Sequence, residues 1–204
     1  SQHLVNNYFF SNGVQGSIVP VAAGLAMSCK KKKNNKVVSV FIGDGTLGEG
    51  VIYETFNLAS LYGLPLLIVC EDNKYAQTTT QEDNLAGDIV TRAEAFGIQT
   101  FSSNTWELDD LFSNSQESVD YVRKNSKPCF HLVETYRLNP HSKGDDFRDE
   151  EELKKFISID PLNVYENENP AEFNQILEKV NSQISEVLNQ IKEDHEMEPD
   201  FYFN

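Results

Sequence analysis

Residues 37–73 read VVSVFIGDGTLGEGVIYETFNLASLYGLPLLIVCEDN, and this stretch decides the fold. It opens on a β-branched run, Val37–Ile42, that stops at Gly43-Asp44-Gly45. Glu49–Tyr62 then shows helical spacing through Ile52, Phe56, Ala59 and Leu61. It ends at Gly63, a residue suited to the left-handed conformation of a helix stop. Leu66–Cys70 is a second apolar run of strand length. Strand, helix, strand in this order predicts two parallel strands joined by a right-handed crossover.

Outward from this unit the alternation continues. On the N-terminal side, Val19–Cys29 is apolar and rich in small residues, with Pro20 tolerated in a first turn, and reads as a buried helix. The basic run Lys30–Lys33 with Lys36 reads as its solvated end, because cations suit a helix C-terminus. On the other side, Arg92–Phe96 predicts a short helix, Ile98–Phe101 a strand, Leu108–Val122 an amphipathic helix and Cys129–Thr135 another strand. The expected fold is α/β: a doubly wound, mainly parallel sheet with a C-terminal helical extension. After Pro140 the composition changes. His141–Glu152 is polar and acidic, a loop candidate. Phe173, Ile176, Leu177, Val180, Ile184, Val187, Leu188 and Ile191 then fall on one helical stripe, expected to pack on the α/β body or on a partner subunit. Glu193–Asn204 reads as an acidic tail with an aromatic tip. The expected division is an α/β domain over residues 1–165 and a helix with its tail over 166–204.

Composition narrows the partners. Of the 204 residues, 39% are hydrophobic, enough for a sizeable core, while 17 Lys and Arg face 32 Asp and Glu for a formal charge of -15. A nucleic-acid binder needs a basic face, and an anionic membrane surface attracts one too; neither suits this balance. No apolar run approaches the ~20 residues of a membrane span. Cys29, Cys70 and Cys129 are far apart in apolar surroundings, with neither disulfide nor zinc spacing. They read as buried, reduced thiols of a cytoplasmic or other reducing compartment. The chain opens SQHL without a signal-peptide pattern, and starts at Ser1 as a processed or truncated product would.

Ligands of open α/β sheets bind outside the carboxyl ends of the strands. Asp44 follows the first strand directly, and Asn73 follows the second after Glu71 and Asp72. The intervening helix has about the length needed to return the chain to the same edge, so Asp44 and Asn73 should share one crevice. A carboxylate and an amide oxygen are hard ligands for Mg²⁺ or Ca²⁺, and an anionic ligand would complete the shell. Gly43 and Gly45 keep the turn clear, so that its amides can approach a phosphate. Gly-Asp-Gly alone is a common turn. Joined by 27 intervening residues to Asn73, with a strand before each end and a helix between, it is far more specific.

On these residues the chain resembles a known family. From Gly43 to Thr78, GDGTLGEGVIYETFNLASLYGLPLLIVCEDNKYAQT is similar to the α subunit of the thiamine diphosphate-dependent E1 components of 2-oxo acid dehydrogenases, which include the pyruvate, branched-chain and acetoin enzymes. Asn12–Leu25, NGVQGSIVPVAAGL, resembles the family's Gly-rich segment. Tyr136–Ser142, YRLNPHS, resembles its YR…HS loop, continued by Asp145-Asp146 and Phe147-Arg148, and Asp160-Pro161 its later Asp-Pro.

The resemblance implies a set of roles. Asp44, the Asn73 side chain and the Tyr75 carbonyl would coordinate Mg²⁺ (or Ca²⁺). Gly43, Gly45 and Thr46 would receive the diphosphate. Gly13 and Gln15 would meet the aminopyrimidine, and His141, beside the diphosphate and the substrate entrance, is the candidate catalytic residue. The implied reaction decarboxylates a 2-oxo acid and passes the acyl group to a lipoyl arm of an E2 protein. The acid that activates the aminopyrimidine belongs to a β-type subunit, implying an α2β2 assembly. His3 and His131 read as structural, and an exposed loop histidine is the competing reading of His141. Gln15 departs from the aliphatic residue usual there and Asn139-Pro140 from the usual His-Gly, and the family's upstream Tyr-Arg pair is expected to be absent, cleaved off or supplied by another chain. Two rival readings are a transketolase-like ketol-transfer subunit, which shares Gly48-Glu49-Gly50, and a non-catalytic cofactor-binding homologue.

Overall fold

The computed structural model describes residues 9–13, 15–142, 144 and 146–193. His3, Asp145 and the acidic tail beyond Glu193 lie outside the described residues. The chain divides into two compact units, Ser1–Phe156 and Ile157–Asn204.

In the first unit, α1 (Ile18–Lys32) buries Val19, Ala22, Ala23 and Ala26, the repeat of a helix with one apolar face. It ends at Lys33, which is in the left-handed conformation. β1 (Val38–Gly43) leads into a 3₁₀ turn, Asp44–Gly48, and α2 (Gly50–Tyr62). Ile52, Phe56 and Ala59 of α2 are buried, and Gly63 closes the helix at φ 54°. Leu61, expected on the same stripe, is 71% exposed. It lies nine positions after Ile52, about two and a half turns, and so on the opposite side of the helix. β2 (Leu66–Asp72) follows, then a hairpin of β3 (Tyr75–Ala76) and β4 (Thr79–Thr80), with α3 (Gln81–Asn84) directly behind it. α4 (Ile89–Glu94), capped by Asp88, precedes β5 (Gln99–Asn104), α5 (Leu108–Asn125) and β6 (Cys129–Glu134).

The sheet has the order β1-β2-β6-β5 with every neighbouring pair parallel. Gly43 stands opposite Glu71, which brings the residues after them, Asp44 and Asp72, to one edge. One face of the sheet carries the larger core, where Val40, Ile42, Ile68, Cys70 and Phe130 meet α1, α2 and α4. At its centre Phe56 contacts Phe96 and Phe130 edge-on, each with ring centroids 5.9 Å apart. The other face packs Leu67, Val69 and Val133 against α5. Helices on both faces of a parallel sheet make this the doubly wound arrangement read from the alternation.

Three features did not follow from the sequence reading. The β3–β4 hairpin is too short for a periodic signal. α6 (Glu150–Ser158) begins inside the segment read as loop. Its first turn, Glu150-Glu151-Glu152, looks polar and loop-like, yet carboxylates favour a helix N-terminus, and the Asp149 side chain accepts from the Glu151 amide at 2.6 Å. In the second unit, α7 (Pro161–Glu168) starts at Asp160, whose carboxylate accepts from the Leu162 amide, with Pro161 in the first turn. α8 (Pro170–Glu193) carries the predicted stripe, and its apolar residues from Ile176 to Ile191 are all exposed. Among the described residues no helix is long and apolar enough to cross a membrane.

Candidate active site

The Gly-Asp-Gly turn is built by the end of β1. Asp44 is 2% exposed, and burial pushes its carboxyl above the ordinary carboxylate range, aided by the nearby Asp72 and opposed by a hydrogen bond from Gln81. Gln81 Nε2 donates to Asp44 Oδ2 at 2.8 Å and to Asp72 Oδ1 at 2.6 Å. Asp72 is itself paired with Lys74, whose Nζ lies 2.5 Å from Oδ2. Gly45 is close against the hairpin: a Cβ there would lie 2.6 Å from Ala76 Cβ.

Gln15 reaches the same turn. Its Oε1 accepts from Thr46 Oγ1 at 2.8 Å and from the Gly43 amide at 3.2 Å. The next residue, Gly16, donates its amide to Glu49 Oε1 at 3.0 Å. Gly13 lies two residues before Gln15 and is exposed. The N-terminal segment and the end of β1 are thereby joined, although 28 positions separate Gln15 from Gly43.

After β2 the chain turns sharply. Asn73 Oδ1 accepts from the Tyr75 amide at 2.9 Å, while Lys74 between them is left-handed at φ 67°. The Asn73 oxygen retains a second lone pair. Tyr75 donates its hydroxyl to Glu152 Oε2 at 2.8 Å, and its ring lies edge-on to Tyr136. Desolvation and the Glu152 carboxylate push the Tyr75 phenol up to about 12.

His141 lies exposed on the loop between β6 and α6. That loop is fastened at both ends. Arg137 donates to the Gln77 carbonyl at 2.9 Å, in the hairpin beyond Tyr75. Arg148 donates to Asp146 at 2.7 and 2.6 Å, to the Asn139 carbonyl at 3.2 Å and to the Arg137 carbonyl. Its guanidinium also lies over the Tyr136 and Tyr75 rings, 5.1 and 5.7 Å from the centroids. The guanidinium pulls the Asp146 carboxyl down to about 2. Tyr136 stacks on Phe156 at 3.9 Å.

The cysteines and His131 are structural. Cys70 and Cys129 are buried and Cys29 is partly so, all as free thiols. Burial raises the Cys129 thiol to about 12 and raises the Cys70 thiol as well. His131 is buried in β6, where its Nε2 shares a 2.9 Å hydrogen bond with Ser103 Oγ and desolvation lowers its pKa.

This arrangement fits a hard cation with an anion beside it. Among the described residues there is no group of three or more His, Cys, Asp or Glu side chains that could hold a metal by itself. Asp44 is instead a buried carboxylate whose side-chain hydrogen bond comes from a neutral amide, a group that a divalent ion would satisfy. The close-packed glycine turn presents main-chain amides rather than side chains at this edge; the Gly43 amide donates to Gln15 Oε1 and the Gly45 amide to the Asp44 carboxylate. Gln81, Asp72 and Arg148 were not picked out as site residues from sequence. The carboxylate of Asp72 beside Asn73 was the available signal; Gln81 had none.

A family model described as dehydrogenase E1 component matches residues 2–200. The pyruvate dehydrogenase E1 component subunit alpha of Rickettsia bellii is 30% identical over 210 residues, covering 98% of this chain and 64% of that protein. The protein of the same name from Rickettsia felis is 33% identical over 168 residues, covering 79% and 52%. The chain thus spans between about half and two thirds of the length of these relatives. Among solved structures, transketolase from Campylobacter jejuni has a TM-score of 0.52 at 24% identity, over 62% of this chain and 21% of that one. Benzoylformate decarboxylase from Polynucleobacter necessarius has a TM-score of 0.51 at 20% identity, over 64% and 26%. At these identities the likeness is one of fold alone.

Proposed function

We propose, because this chain belongs to the dehydrogenase E1 component family, that it forms the α-type half of a thiamine diphosphate- and Mg²⁺-dependent 2-oxo acid dehydrogenase. The observation that best supports this is that a buried carboxylate, Asp44, and the Asn73–Tyr75 turn follow two adjacent parallel strands at one edge of the sheet. Thiamine diphosphate, when bound, supplies the nucleophilic carbon and the electron sink for removing CO₂ from a 2-oxo acid.

The chain's own residues bind and orient. Asp44, the Asn73 side chain and the Tyr75 carbonyl would hold Mg²⁺. The amides of Gly45 and Thr46 would face the diphosphate, with Gly43 shaping the turn. Gly13 and Gln15 would border the aminopyrimidine. His141, on a loop fastened by Arg137 and Arg148, would hold or deliver a proton where the substrate enters. A β-type subunit would supply the acid for the aminopyrimidine in an α2β2 assembly, and a lipoyl-bearing E2 protein would accept the acyl group. The free thiols suit a reducing compartment such as the cytoplasm.

The test is CO₂ release from pyruvate with excess thiamine diphosphate and Mg²⁺, by the purified chain alone and with a β-type partner. Cofactor binding and decarboxylation should appear together on adding the partner, since both stabilise one assembled state. Robust turnover by a verified monomer would refute the split site. Ketol transfer between sugars without CO₂ release would favour the transketolase-like reading.

A further inference from the structure

Gln81 stands at a junction outside every quoted motif. It opens α3 directly after β4, and its main-chain amide donates to the Lys74 carbonyl at 2.9 Å, tying it to the turn beyond β2. Its side chain meets two carboxylates from neighbouring strands, Asp44 and Asp72, each 2% exposed. Ionised carboxylates accept and cannot donate, so the amide nitrogen, not the oxygen, must face them. That nitrogen carries two hydrogens, one for each acid.

The two acids differ in what else they touch. Asp72 is already neutralised: Lys74 gives its ammonium to Oδ2 at 2.5 Å and its amide to Oδ1 at 3.3 Å. Among the described residues no cation pairs with Asp44, and Gln81 is its side-chain partner. Lys74, Asp72, Gln81 and Asp44 therefore form one chain of contacts with a charge deficit at its Asp44 end. With Oδ2 tied to Gln81, the Asp44 carboxylate cannot turn freely.

We propose that Gln81 is the positioning residue of the divalent-cation site: it ties Asp44 to the Lys74-neutralised Asp72 and so sets the orientation in which Asp44 meets the ion. This rests on the reading of Asp44 as a cation ligand. It adds to that reading a residue that touches neither the cofactor nor the substrate.

The probe is Mn²⁺ in the presence of thiamine diphosphate, titrated by paramagnetic resonance into the full chain and into the chain with its β-type partner. Asp44→Asn should remove the bound Mn²⁺. Gln81→Met, similar in length but without a donor, should weaken Mn²⁺ by about tenfold or more, the scale of a lost hydrogen bond to a charged group. Gln81→Asn, one carbon short, should weaken it as well. Gln81→Lys would place an ammonium between the two acids; it should abolish Mn²⁺ binding and raise the metal-free thermal midpoint. A purely structural role would lower that midpoint in every Gln81 variant and leave Mn²⁺ affinity unchanged. Wild-type Mn²⁺ affinity in Gln81→Met or Gln81→Lys, with binding lost in Asp44→Asn, would overturn the inference alone. Equal binding by wild type and Asp44→Asn would overturn the cation site and this inference with it.

Discussion

Gly45→Ala tests how tightly the turn beyond β1 is held. The added methyl would lie 2.6 Å from Ala76 Cβ and 3.5 Å from Ala76 Cα. Ordinary carbon contacts fall at about 3.5–4.0 Å, so the two methyl groups must part by about 1 Å. Gly45 is not in the left-handed region, so the demand is for space and not for an unusual backbone. Neither side yields easily. The turn lies between Asp44 and Thr46, both buried, and Ala76 is paired with Thr79 in the hairpin. Overpacking of this kind costs about 1–3 kcal/mol, and a loss near ~2 kcal/mol corresponds to roughly 4–8 °C for a chain of this size. Ala76→Gly alone should cost about 0.5–1 kcal/mol through backbone entropy. The double variant removes the colliding methyl and leaves Ala76 Cα at 3.5 Å, an ordinary contact. Urea unfolding of the wild type, both single variants and the double variant should therefore give a favourable coupling of about 1–2 kcal/mol. A Gly45→Ala protein as stable as wild type would refute the reasoning, as would a double variant no better than the sum of its parts.

Other outcomes follow from the same geometry. Burial raises the Asp44 carboxyl from its ordinary value of 3.8, so it destabilises the metal-free fold not at all below that value and fully above the raised one; by calorimetry, Asp44→Asn should melt higher than wild type at about pH 7 and at the same temperature near about pH 3. Arg148→Met should loosen the loop that carries His141, seen as faster chymotryptic cleavage at the exposed Phe147 with the far-ultraviolet spectrum unchanged. In the assembled enzyme His141→Ala should cut turnover by about 10²-fold with little change in cofactor affinity; an exposed loop histidine without a role would change neither. Phe56→Ala should cost about 3–5 kcal/mol in chemical unfolding, because it empties the centre of the larger core.

The sheet was legible because its strands are apolar runs between turn residues, a signal that survives without knowledge of neighbours. Val38–Gly43 and Leu66–Asp72 differ from the predicted strands by no more than two residues at either end. The helix ends were legible for the same local reason, as at Gly63. What failed was periodicity pressed too far, as at Leu61, and composition taken for conformation, as in Glu150–Glu152. A glutamate run in a first turn is favoured by the helix dipole, and only the Asp149 cap distinguishes it from a loop.

At the site, the legible residues are those whose place follows from chain connectivity. Asp44 and Asn73 each follow a strand, and parallel neighbours end at the same edge. The groups around them come from segments with no such constraint: Gln81, which bonds Asp44, from a four-residue helix behind a hairpin; Glu152, which accepts from Tyr75, from a first turn read as loop; and Arg148, which holds the His141 loop, from that loop itself. Short polar segments of this kind carry no periodic signal, because they are placed by the charges they satisfy and not by the surface they bury. Asp72 shows the consequence. Read along the chain it is another acid beside Asn73; in the fold Lys74 and Gln81 occupy its oxygens. A buried carboxylate already neutralised by an ammonium gains less from a cation than one, like Asp44, that is held by neutral amides. On the proposed reading, that difference, set by Lys74, leaves Asp44 rather than Asp72 for a metal ion.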